Sequence, residues 1–389
     1  MKRLELDFPT IELVEGKARL MVPEGVGRIE PSKLPAFYNP ASKISRDFAV
    51  LTTAAYFDSS GRTFAEPLAG LGARAVRLML EASRFSEGFA SDINERSARL
   101  IELNARLNGL EGSLRGYHMD GNLLLVKLAA EGARVHYVDL DPSGSPARFL
   151  ENSIRAVRSE GLIGVSATDL AALTGASQRT ARWRYSLNLS RTVFGKEVAM
   201  RALAAICAVT AGRLSRSAVP VLSVVKAHFV RVFARIERGK LRAFEAVSAL
   251  GYLRYCDSCL SVEVIGDLQG LGGRCPSCGS DVRALGPLWL GPLKDDSLVN
   301  KALSSELAED PGFGEAVRVL KRVREELPDV PYSYPVSELA RRARCSPPSV
   351  TWLIEQLRSL GFRASRVHYD GSAVKTDAPA SEVIGLLRA

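Results

Sequence analysis

The chain has 389 residues, of which 46% are hydrophobic and 24% charged, a composition typical of a globular protein with two or three domains. No apolar run is long enough to cross a bilayer and the N-terminal segment lacks the apolar core of a signal peptide, so we expect a cytoplasmic protein with no membrane partner. The net charge of +9 and the 40 arginines against 12 lysines favour a polyanionic partner, unless they only serve solubility or follow from genome composition.

Residues 1–50 predict an N-terminal β-rich segment followed by a loop. The runs IELVEG and ARLMVP, on either side of Gly16, are short strand candidates. The run LPAFYNPASKISRDFAVL that follows them predicts a loop leading into a helix.

Residues 51–220 alternate between short β-runs and helices, as an α/β domain does. Five β-runs predict a parallel, doubly wound sheet, and an apolar helix follows at 197–217. Ligands of such sheets bind at the carboxyl ends of the strands. The residues that end each strand are therefore the candidates for a functional site.

A glycine turn joins the first strand and the first helix of this domain, in EPLAGLGARAVR (66–77). Gly70 and Gly72 alone do not separate nicotinamide, flavin and S-adenosylmethionine sites, and tight strand–helix packing is the alternative. No Lys-Ser or Lys-Thr pair follows the glycines, which argues against a triphosphate cradle. The Glu66 carboxylate would repel a pyrophosphate but accommodate a cationic sulfonium.

Acidic residues also end the next two strands. Asp92 lies about twenty residues after the glycine turn, where an acid accepts hydrogen bonds from ribose hydroxyls. The alternative is that Ser91 or Asp92 caps the following helix. Asp120 in MDGN can accept a hydrogen bond from an adenine amino group and Gly121 lets the ring approach the backbone, whereas the run by itself predicts only a turn.

The fourth strand ends in VDLDPSGSPARF (138–149), which places Asp141 before Pro142. An exocyclic base amine is a weak nucleophile because its lone pair is delocalised into the ring. The Asp141 carboxylate and the Pro142 carbonyl can accept its protons and aim the lone pair at a methyl group held in line. An Asp-Pro turn is the alternative, but acids at four successive strand ends favour the catalytic interpretation.

The motif DPSGSP with the following ATD resembles the tRNA guanine-26 N2-dimethyltransferases of archaeal type, whose motif is DPFGSP…ATD. The resemblance runs from FYNP…SRD (37–47) through the glycine turn and MDGN to RVHYDGSAVKTDAP, nearly the whole chain. It implies a Rossmann-like class I methyltransferase sheet that uses S-adenosylmethionine to dimethylate the exocyclic amine of guanine 26. It also implies a C-terminal domain that engages the tRNA.

The resemblance implies roles for individual residues as well. Asp141 corresponds to the catalytic aspartate, with Pro142 beside it, and Phe37 to an aromatic that helps to hold a flipped base. Arg46 corresponds to an arginine at the methionine end of the cofactor. The predicted cofactor-binding residues are Arg46, Glu66, Gly70, Arg74, Arg77, Asp92, Ile93, Asp120 and Gly121.

Three positions depart from the family pattern. Ser143 stands where a phenylalanine is expected, so one stacking wall is absent unless another side chain such as Phe149 takes its place. Ser45 replaces an asparagine, and Lys196 replaces a histidine. These departures bear on rate and on mono- against dimethylation more than on the class of reaction.

Two CxxC pairs, Cys256/Cys259 and Cys275/Cys278, are separated by fifteen residues, a spacing typical of a tetrahedral zinc site. Disulfides are disfavoured in a cytosolic chain, and no acid stands close enough to indicate catalysis, so we predict structural zinc. Gly272, Gly273 and Gly279 suit the tight turns of such knuckles. The other two cysteines, Cys207 and Cys345, are predicted to be small buried hydrophobic residues.

Residues 221–389 predict a C-terminal α+β domain that contains this knuckle and a winged-helix-like module. From Pro335 the pattern is helix, turn, helix and then a possible two-stranded wing. We expect the module to contact tRNA by shape and phosphates, a packed helical pair being the alternative. Trp352 and Phe362 are predicted to lie in its core.

Two other classes of protein compete with a monomeric tRNA methyltransferase. The first is a zinc-containing winged-helix nucleic-acid-binding regulator with a non-catalytic Rossmann-like domain, which has no reason to keep Asp141 before Pro142. The second is a Rossmann oxidoreductase, which Glu66 and the incomplete glycine motif disfavour.

Overall fold

The computed structural model describes residues 6–267 and 270–388. The chain forms two compact units. The first comprises the residues up to Ser166, Phe233–Arg238 and Ser297–Arg318, and the second comprises Ala167–Val232, Gly239–Asp296 and the residues from Val319 on. The three domains predicted from the sequence, 1–50, 51–220 and 221–389, stay a prediction.

The β-runs and helices predicted for residues 62–217, and the helices and wing predicted from Pro335 on, follow one another as the sequence patterns predict. The strands are β1 (Thr10–Glu15), β2 (Ala18–Pro23), β3 (Arg62–Glu66), β4 (Phe85–Asp92), β5 (Leu114–His118), β6 (Val135–Leu140), β7 (Val157–Ala167), β8 (Arg216–Lys226), β9 (Phe229–Arg238), β10 (Leu250–Tyr255), β11 (Val262–Ile265), β12 (Arg283–Trp289), β13 (Tyr334–Pro335), β14 (Ala364–Arg366) and β15 (Ala373–Thr376). The α-helices are α1 (Lys43–Tyr56), α2 (Ala73–Glu81), α3 (Glu95–Leu107), α4 (Gly121–Ala130), α5 (Ala147–Ala156), α6 (Leu170–Leu173), α7 (Gln178–Tyr185), α8 (Gly195–Arg213), α9 (Lys240–Ser248), α10 (Asp296–Leu303), α11 (Glu306–Glu309), α12 (Gly314–Glu325), α13 (Val336–Ala343), α14 (Val350–Ser359) and α15 (Ala380–Leu386). Among these described helices, none combines the length and the apolar character that a membrane span requires.

The central sheet has the strand order β5-β4-β3-β6-β7-β9-β8. Strands β5, β4, β3, β6 and β7 run parallel to one another, which confirms the predicted α/β sheet. Buried apolar runs such as Leu162, Ile163 and Val165 in β7 are typical of a sheet that is covered on both faces. Strands β8 and β9 are joined by only two residues and therefore run antiparallel, so the sheet is mixed rather than wholly parallel.

In the first unit, β1 and β2 form the predicted N-terminal hairpin around Gly16, whose φ of 58° is in the left-handed region. Two asparagines near the end of α3 hold this hairpin by side-chain hydrogen bonds to its backbone. Asn104 accepts from the Met21 N–H at 2.7 Å, and Asn108 accepts from the Arg19 N–H at 2.9 Å. The hairpin is thereby fixed to the helix that follows β4.

The second unit contains two small sheets, β11-β10-β12 and β13-β15-β14. Helices α13 and α14, followed by β14 and β15, confirm the winged-helix-like pattern, with β13 as a third strand of the wing. Cys207 is buried as predicted. The C-terminal run RVHYDGSAVKTDAP contributes Lys375, whose Nζ donates to Glu197 at 2.9 Å and to Glu326 at 2.7 Å within the buried interior of this unit.

Two predictions for the tail are wrong. Trp352 is 39% exposed because the buried stripe of α14 consists of Val350, Leu353, Ile354 and Leu357, which leaves position 352 beside the stripe. Cys345 is exposed because α13 ends at Ala343 and the left-handed Arg344 turns the chain away from the helix. Phe362 is only partly buried.

Candidate active site

Four acidic residues lie at the carboxyl ends of neighbouring parallel strands in the first unit. Glu66 and Asp92 end β3 and β4, Asp120 lies two residues after β5, and Asp141 directly follows β6. Because β5, β4, β3 and β6 are consecutive in the sheet and parallel, their carboxyl ends share one edge. The structure therefore brings together the four strand ends that the sequence singled out.

The glycine turn after β3 joins the end of β4 to the loop that carries Phe37. Asp92 Oδ2 accepts a hydrogen bond of 2.9 Å from the Gly70 N–H. Gly70 has a φ of 54°, and a Cβ at this position would lie 2.8 Å from the Phe37 carbonyl oxygen. Gly70 thus meets both a conformational and a steric requirement, while the Phe37 side chain remains 47% exposed beside the turn.

Arg74, on α2, is the centre of a buried group that we name the Arg74 cluster: Arg74, Glu66, Asp139 and Asp141. Its guanidinium donates to Asp139 and Asp141 and lies 3.9 Å from Glu66 Oε1. Ser45 completes the surroundings, since its hydroxyl donates to Asp141 Oδ2 at 3.4 Å and accepts from Arg74 at 3.3 Å. One arginine therefore faces three carboxyl groups.

This imbalance of charge is visible in the pKa of Glu66. Burial raises the pKa of Glu66 to about 8, against the opposing charge of Arg74. The carboxylates of Asp139 and Asp141 act in the same direction as burial. The cluster is thus able to hold one more positive charge, which would restore the ionised form of Glu66.

Two buried polar atoms of the cluster are left over. Glu66 Oε2 and Arg74 Nε have no hydrogen-bond partner within 6–267 and 270–388. Across the strand ends, a Cβ on Gly121 would lie 2.5 Å from the Pro67 carbonyl oxygen, so only glycine fits there. The carboxylate-rich cluster thus keeps an acceptor without a partner, and it lies at the sheet edge where Gly121 closely approaches the Pro67 backbone. These features fit a cationic nucleoside such as S-adenosylmethionine.

The predicted ribose- and adenine-binding positions line the same edge. Both oxygens of Asp92 accept backbone N–H groups, from Gly70 and from Asn94, each at 2.9 Å, and burial raises its pKa. Ile93 is 70% exposed and can cover one face of a flat ring. Asp120 caps α4 by accepting from the Asn122 N–H at 2.8 Å. The alternative that Ser91 or Asp92 caps α3 is wrong, because Asn94 is the cap.

Arg46 and Arg77 belong to a second buried group, the Arg77 cluster: Arg77, Arg46, Glu15, Asp47 and Glu81. Arg46 donates to Glu15 at 2.7 and 2.5 Å. Arg77 is fully buried and reaches Glu15 at 3.0 Å, Asp47 at 2.7 Å and Glu81 at 2.8 Å. Their predicted contact with a cofactor stays a prediction.

The surroundings of Asp141 decide which aromatic residues can hold a base. Asp141 is 21% exposed and so open on one side, and the following Pro142 is buried. Ser143 is exposed and offers no ring. Phe149 does not replace the missing phenylalanine, because its side chain is buried in α5. Phe37 is therefore the aromatic of the predicted set that is both exposed and next to the glycine turn.

Two residues that shape the site, Asp139 and Tyr137, were not among the predicted site residues, and a third, Ser45, was named only as a departure from the family pattern. Asp139 and Tyr137 lie on β6, where the Tyr137 hydroxyl donates to Asp139, and Ser45 lies on α1. An acid two positions before Asp141 in VDLD was the available signal, since a carboxylate inside a buried strand requires a partner. Nothing in the sequence placed Ser45 beside Asp141.

The predicted metal ligands lie together in the second unit. The sulfur atoms of Cys256, Cys259, Cys275 and Cys278 are all within 4.8 Å of one another, with Cys256–Cys278 and Cys259–Cys275 at 3.5 Å. Tetrahedral zinc with bonds of about 2.3 Å separates its sulfurs by about 3.8 Å, so the cluster fits this metal.

The two halves of the cysteine cluster have the same backbone hydrogen bonds. Cys256 O accepts from Leu260 N–H at 2.9 Å and Cys275 O from Gly279 N–H at 2.8 Å. Leu260 and Gly279 both have left-handed φ angles, of 64° and 72°. This repeated turn is the knuckle that the glycines predicted.

Comparison with known proteins gives one consistent family. A family model described as N2,N2-dimethylguanosine tRNA methyltransferase matches residues 16–388. The tRNA (guanine(26)-N(2))-dimethyltransferase of Methanopyrus kandleri is 38% identical over 379 residues, which cover 96% of this chain and 96% of the relative. The tRNA (guanine(26)-N(2)/guanine(27)-N(2))-dimethyltransferase of Aquifex aeolicus is 31% identical over 95% of this chain and 94% of its own.

A solved structure extends the similarity to three dimensions. Trm1 from Pyrococcus horikoshii, in a complex with S-adenosyl-L-methionine, matches with a TM-score of 0.84 and 30% sequence identity. The match covers 96% of this chain and 99% of that chain. The α/β fold and the order of its parts are therefore shared over nearly the whole length of both proteins.

Proposed function

Because the chain belongs to the N2,N2-dimethylguanosine tRNA methyltransferase family, we propose that it uses S-adenosylmethionine to methylate N2 of guanine 26 in tRNA. The observation that carries this proposal is the Arg74 cluster, where Asp141 and a carboxyl group with a free acceptor atom share one edge of the sheet. We propose that the protein acts as a cytoplasmic monomer, on the basis of the sequence alone.

The first task of the site is to hold a cationic donor. When bound, S-adenosylmethionine supplies an electrophilic methyl group on a sulfonium centre. Glu66 would lie toward the positive charge, Asp92 toward the ribose hydroxyls, and Ile93, Asp120 and Gly121 toward the adenine. Gly70 allows the backbone to approach closely.

The second task is to orient the guanine amine. The Asp141 carboxylate and the Pro142 carbonyl accept the two N–H groups, which directs the nitrogen lone pair away from the ring plane. Arg74 and Ser45 both contact Asp141 and fix the direction of its carboxylate. As the nitrogen would form its bond to the methyl carbon, the carbon–sulfur bond would break with its electron pair left on sulfur, and Asp141 can take the proton that the amine loses.

The base must leave the tRNA stack to reach Asp141. The exposed ring of Phe37, beside the glycine turn, supplies a face on which guanine can stack. The serine at position 143 leaves the opposite side open. We expect this open side to have a small effect on the rate of the first methyl transfer. We expect a larger effect on how well the monomethylated base is retained for a second transfer.

A nucleoside digest tests the proposal. The protein is incubated with methyl-labelled S-adenosylmethionine and three tRNA transcripts: one with guanine at position 26, one with adenine at 26, and one with guanine at 26 and adenine at 27. We expect N2-methylated and N2,N2-dimethylated guanosine from the first and third transcripts and none from the second. Absence of label in N2-methylated guanosine would contradict the proposal and favour a non-catalytic nucleic-acid-binding protein.

A further inference from the structure

The second unit contains an open, polar pocket of about 310 Å³ at the zinc knuckle. Four of the eight residues that line it are arginines and two are acids. The lining residues are Arg191, Thr192, Val193, Asp257, Arg283, Glu338, Arg341 and Arg342. We propose that this arginine pocket binds backbone phosphates of the substrate RNA, an inference that rests on the proposed function and assigns it a second, non-catalytic contact site.

Two of the four arginines of the pocket, Arg283 and Arg342, are already held in place. Arg283 donates to the Arg191 carbonyl oxygen at 3.1 Å and lies 3.5 Å from the Asp257 carboxylate. Arg342 donates to the Asp257 carbonyl oxygen at 2.7 Å. Because these anchors are fixed before any ligand arrives, binding orders few additional side chains and loses less entropy.

The charge of the pocket is not balanced by its own acids. Arg341 and Arg342 share a single carboxylate, that of Glu338. Arg191 is exposed and has no acidic partner among the residues that the structure describes. The buried Nε of Arg342 likewise has no hydrogen-bond acceptor in the described chain. Four arginines against two acids leave an excess of two positive charges and unused donors.

The chemistry of the walls favours phosphate over a base or a small apolar molecule. Val193 is the one apolar lining residue, and the lining contains no aromatic ring on which a base can stack. Guanidinium groups bind phosphate oxygens through paired N–H donors. A sugar–phosphate backbone that passes over the open, positively charged pocket offers such phosphate oxygens. Its binding there does not depend on the RNA sequence.

The pocket also gives the zinc knuckle a role in RNA binding, in addition to its role in stability. Asp257 stands between the ligands Cys256 and Cys259, so the metal fixes the residue that anchors two of the arginines. Arg341 and Arg342 lie on α13, the first helix of the winged-helix-like module. The knuckle and this helix thus contribute to one binding surface.

The test compares charge changes inside and outside the pocket. We would measure tRNA affinity at several salt concentrations for the wild type, for the Arg191→Ala/Arg283→Ala double variant, and for Arg322→Ala/Arg324→Ala, two exposed arginines of α12 that do not line the pocket. The pocket variant should bind tRNA at least about tenfold more weakly. The slope of log affinity against log salt should fall by about 1 for each phosphate that the variant no longer binds.

The kinetic readout separates this site from the catalytic one. We expect the KM for tRNA to rise with the Kd in the pocket variant, while kcat at saturating tRNA and the Kd for S-adenosylmethionine stay within about twofold of wild type. Bound zinc and the thermal unfolding curve report whether the variant is folded. Arg191→Ala alone, at an exposed position, gives a second variant that leaves the knuckle itself intact.

The outcomes are distinct. If the wild type methylates tRNA and the pocket variants keep wild-type affinity and salt slope, the inference is overturned while the proposed function stands. An equal loss in the Arg322/Arg324 control would also overturn it, because the effect would then be one of net charge. If the wild type binds tRNA through the pocket but transfers no methyl group, the proposed function fails instead.

Discussion

The first unit contains two buried clusters of arginines and carboxylates. They differ in whether every buried side-chain nitrogen and oxygen atom has a hydrogen-bond partner in the described chain. In the Arg77 cluster, none of the buried side-chain nitrogen or oxygen atoms lacks a hydrogen-bond partner in the described chain. In the Arg74 cluster, Glu66 and Arg74 each keep one such atom. A complete set of partners is typical of a structural element, and an incomplete set is typical of a site that a ligand completes.

The pKa values of two buried glutamates express the same difference, which the deeper burial of Glu66 reinforces. Burial would raise the pKa of Glu15, but the hydrogen bonds and charge of Arg46 outweigh it and lower the pKa to about 2. Burial raises the pKa of Glu66 to about 8, since Arg74 is shared among three carboxyl groups. The higher ratio of cations to carboxylates therefore keeps Glu15 ionised. The lower ratio around Glu66 favours its protonated form until another positive charge binds.

The largest expected effect is on catalysis, and it tests whether the Arg74 cluster is a reaction site. Asp141→Asn keeps the size of the side chain but removes the proton acceptor, so we expect the single-turnover methyl-transfer rate to fall by about 10²–10⁴. The Kd for S-adenosylmethionine, from calorimetry, should change by less than about threefold. Ser143→Ala, at an exposed position two residues on, is the matched control and should lose far less. An Asp141→Asn rate within about tenfold of wild type would remove Asp141 from the reaction.

A matched pair of isosteric variants compares the two clusters directly. Glu15→Gln removes an ionised partner of two buried arginines, and we expect a loss of about 3 kcal/mol in the free energy of unfolding at pH 7. Glu66→Gln replaces a group that is mostly protonated at pH 7, and we expect a loss below about 1 kcal/mol together with weaker cofactor binding. Urea unfolding of both variants at one protein concentration measures the two values. Equal losses would contradict the distinction between the clusters.

The pH dependence of the two glutamates has opposite sign. The lowered pKa of Glu15 contributes stability that is present above its unfolded value of 4.5 and is lost as the pH falls toward about 2. The raised pKa of Glu66 favours the protonated native state, so its contribution is present below 4.5 and is lost as the pH rises through about 8.

Cofactor binding reports the ionisation of Glu66 separately. Because an ionised Glu66 attracts a cation, we expect the Kd for S-adenosylmethionine to fall by up to about tenfold as the pH rises from roughly 6 to 8. Glu66→Gln should flatten this dependence. Any pH dependence that remains in the variant then reports the titration of the cofactor itself. Calorimetric titrations at four pH values provide the measurement, and an unchanged slope in the variant would show that another group is responsible.

The smallest expected effect concerns Ser45, which contacts the Arg74 cluster from α1. Ser45→Ala removes the hydrogen bonds of 3.4 and 3.3 Å to Asp141 and Arg74, so we expect a loss of about 1 kcal/mol, or roughly fivefold in rate. Thr53→Ala, on the same helix, removes a hydroxyl whose hydrogen bonds within the described chain are to helix carbonyls, and it should leave the rate unchanged. A rate loss in the Thr53 variant as large as that in the Ser45 variant would indicate a general effect on α1.

The sequence predicted the fold and the line of acids because both depend on local, periodic signals. Short β-runs between helices specify a parallel sheet, and Glu66, Asp92, Asp120 and Asp141 each follow such a run. In a parallel sheet, strand ends that are far apart in the chain share an edge. The exposed Trp352 and Cys345 were missed because a helical stripe and a helix end can shift by one or two residues without changing the overall pattern.

The sequence by itself determined the order of the elements, the cysteine knuckle and the residue types at the strand ends, since each of these follows from spacing along the chain. The tertiary structure alone decided which arginine serves which carboxylate. Arg74 and Arg77 lie three residues apart on α2, yet one contacts Asp139 and Asp141 while the other contacts Glu15, Asp47 and Glu81. The physical reason is that the two arginines lie on one face of α2 but about one turn apart along it, so that, apart from Glu81 on the same helix, each meets carboxylates supplied by a different and distant part of the chain.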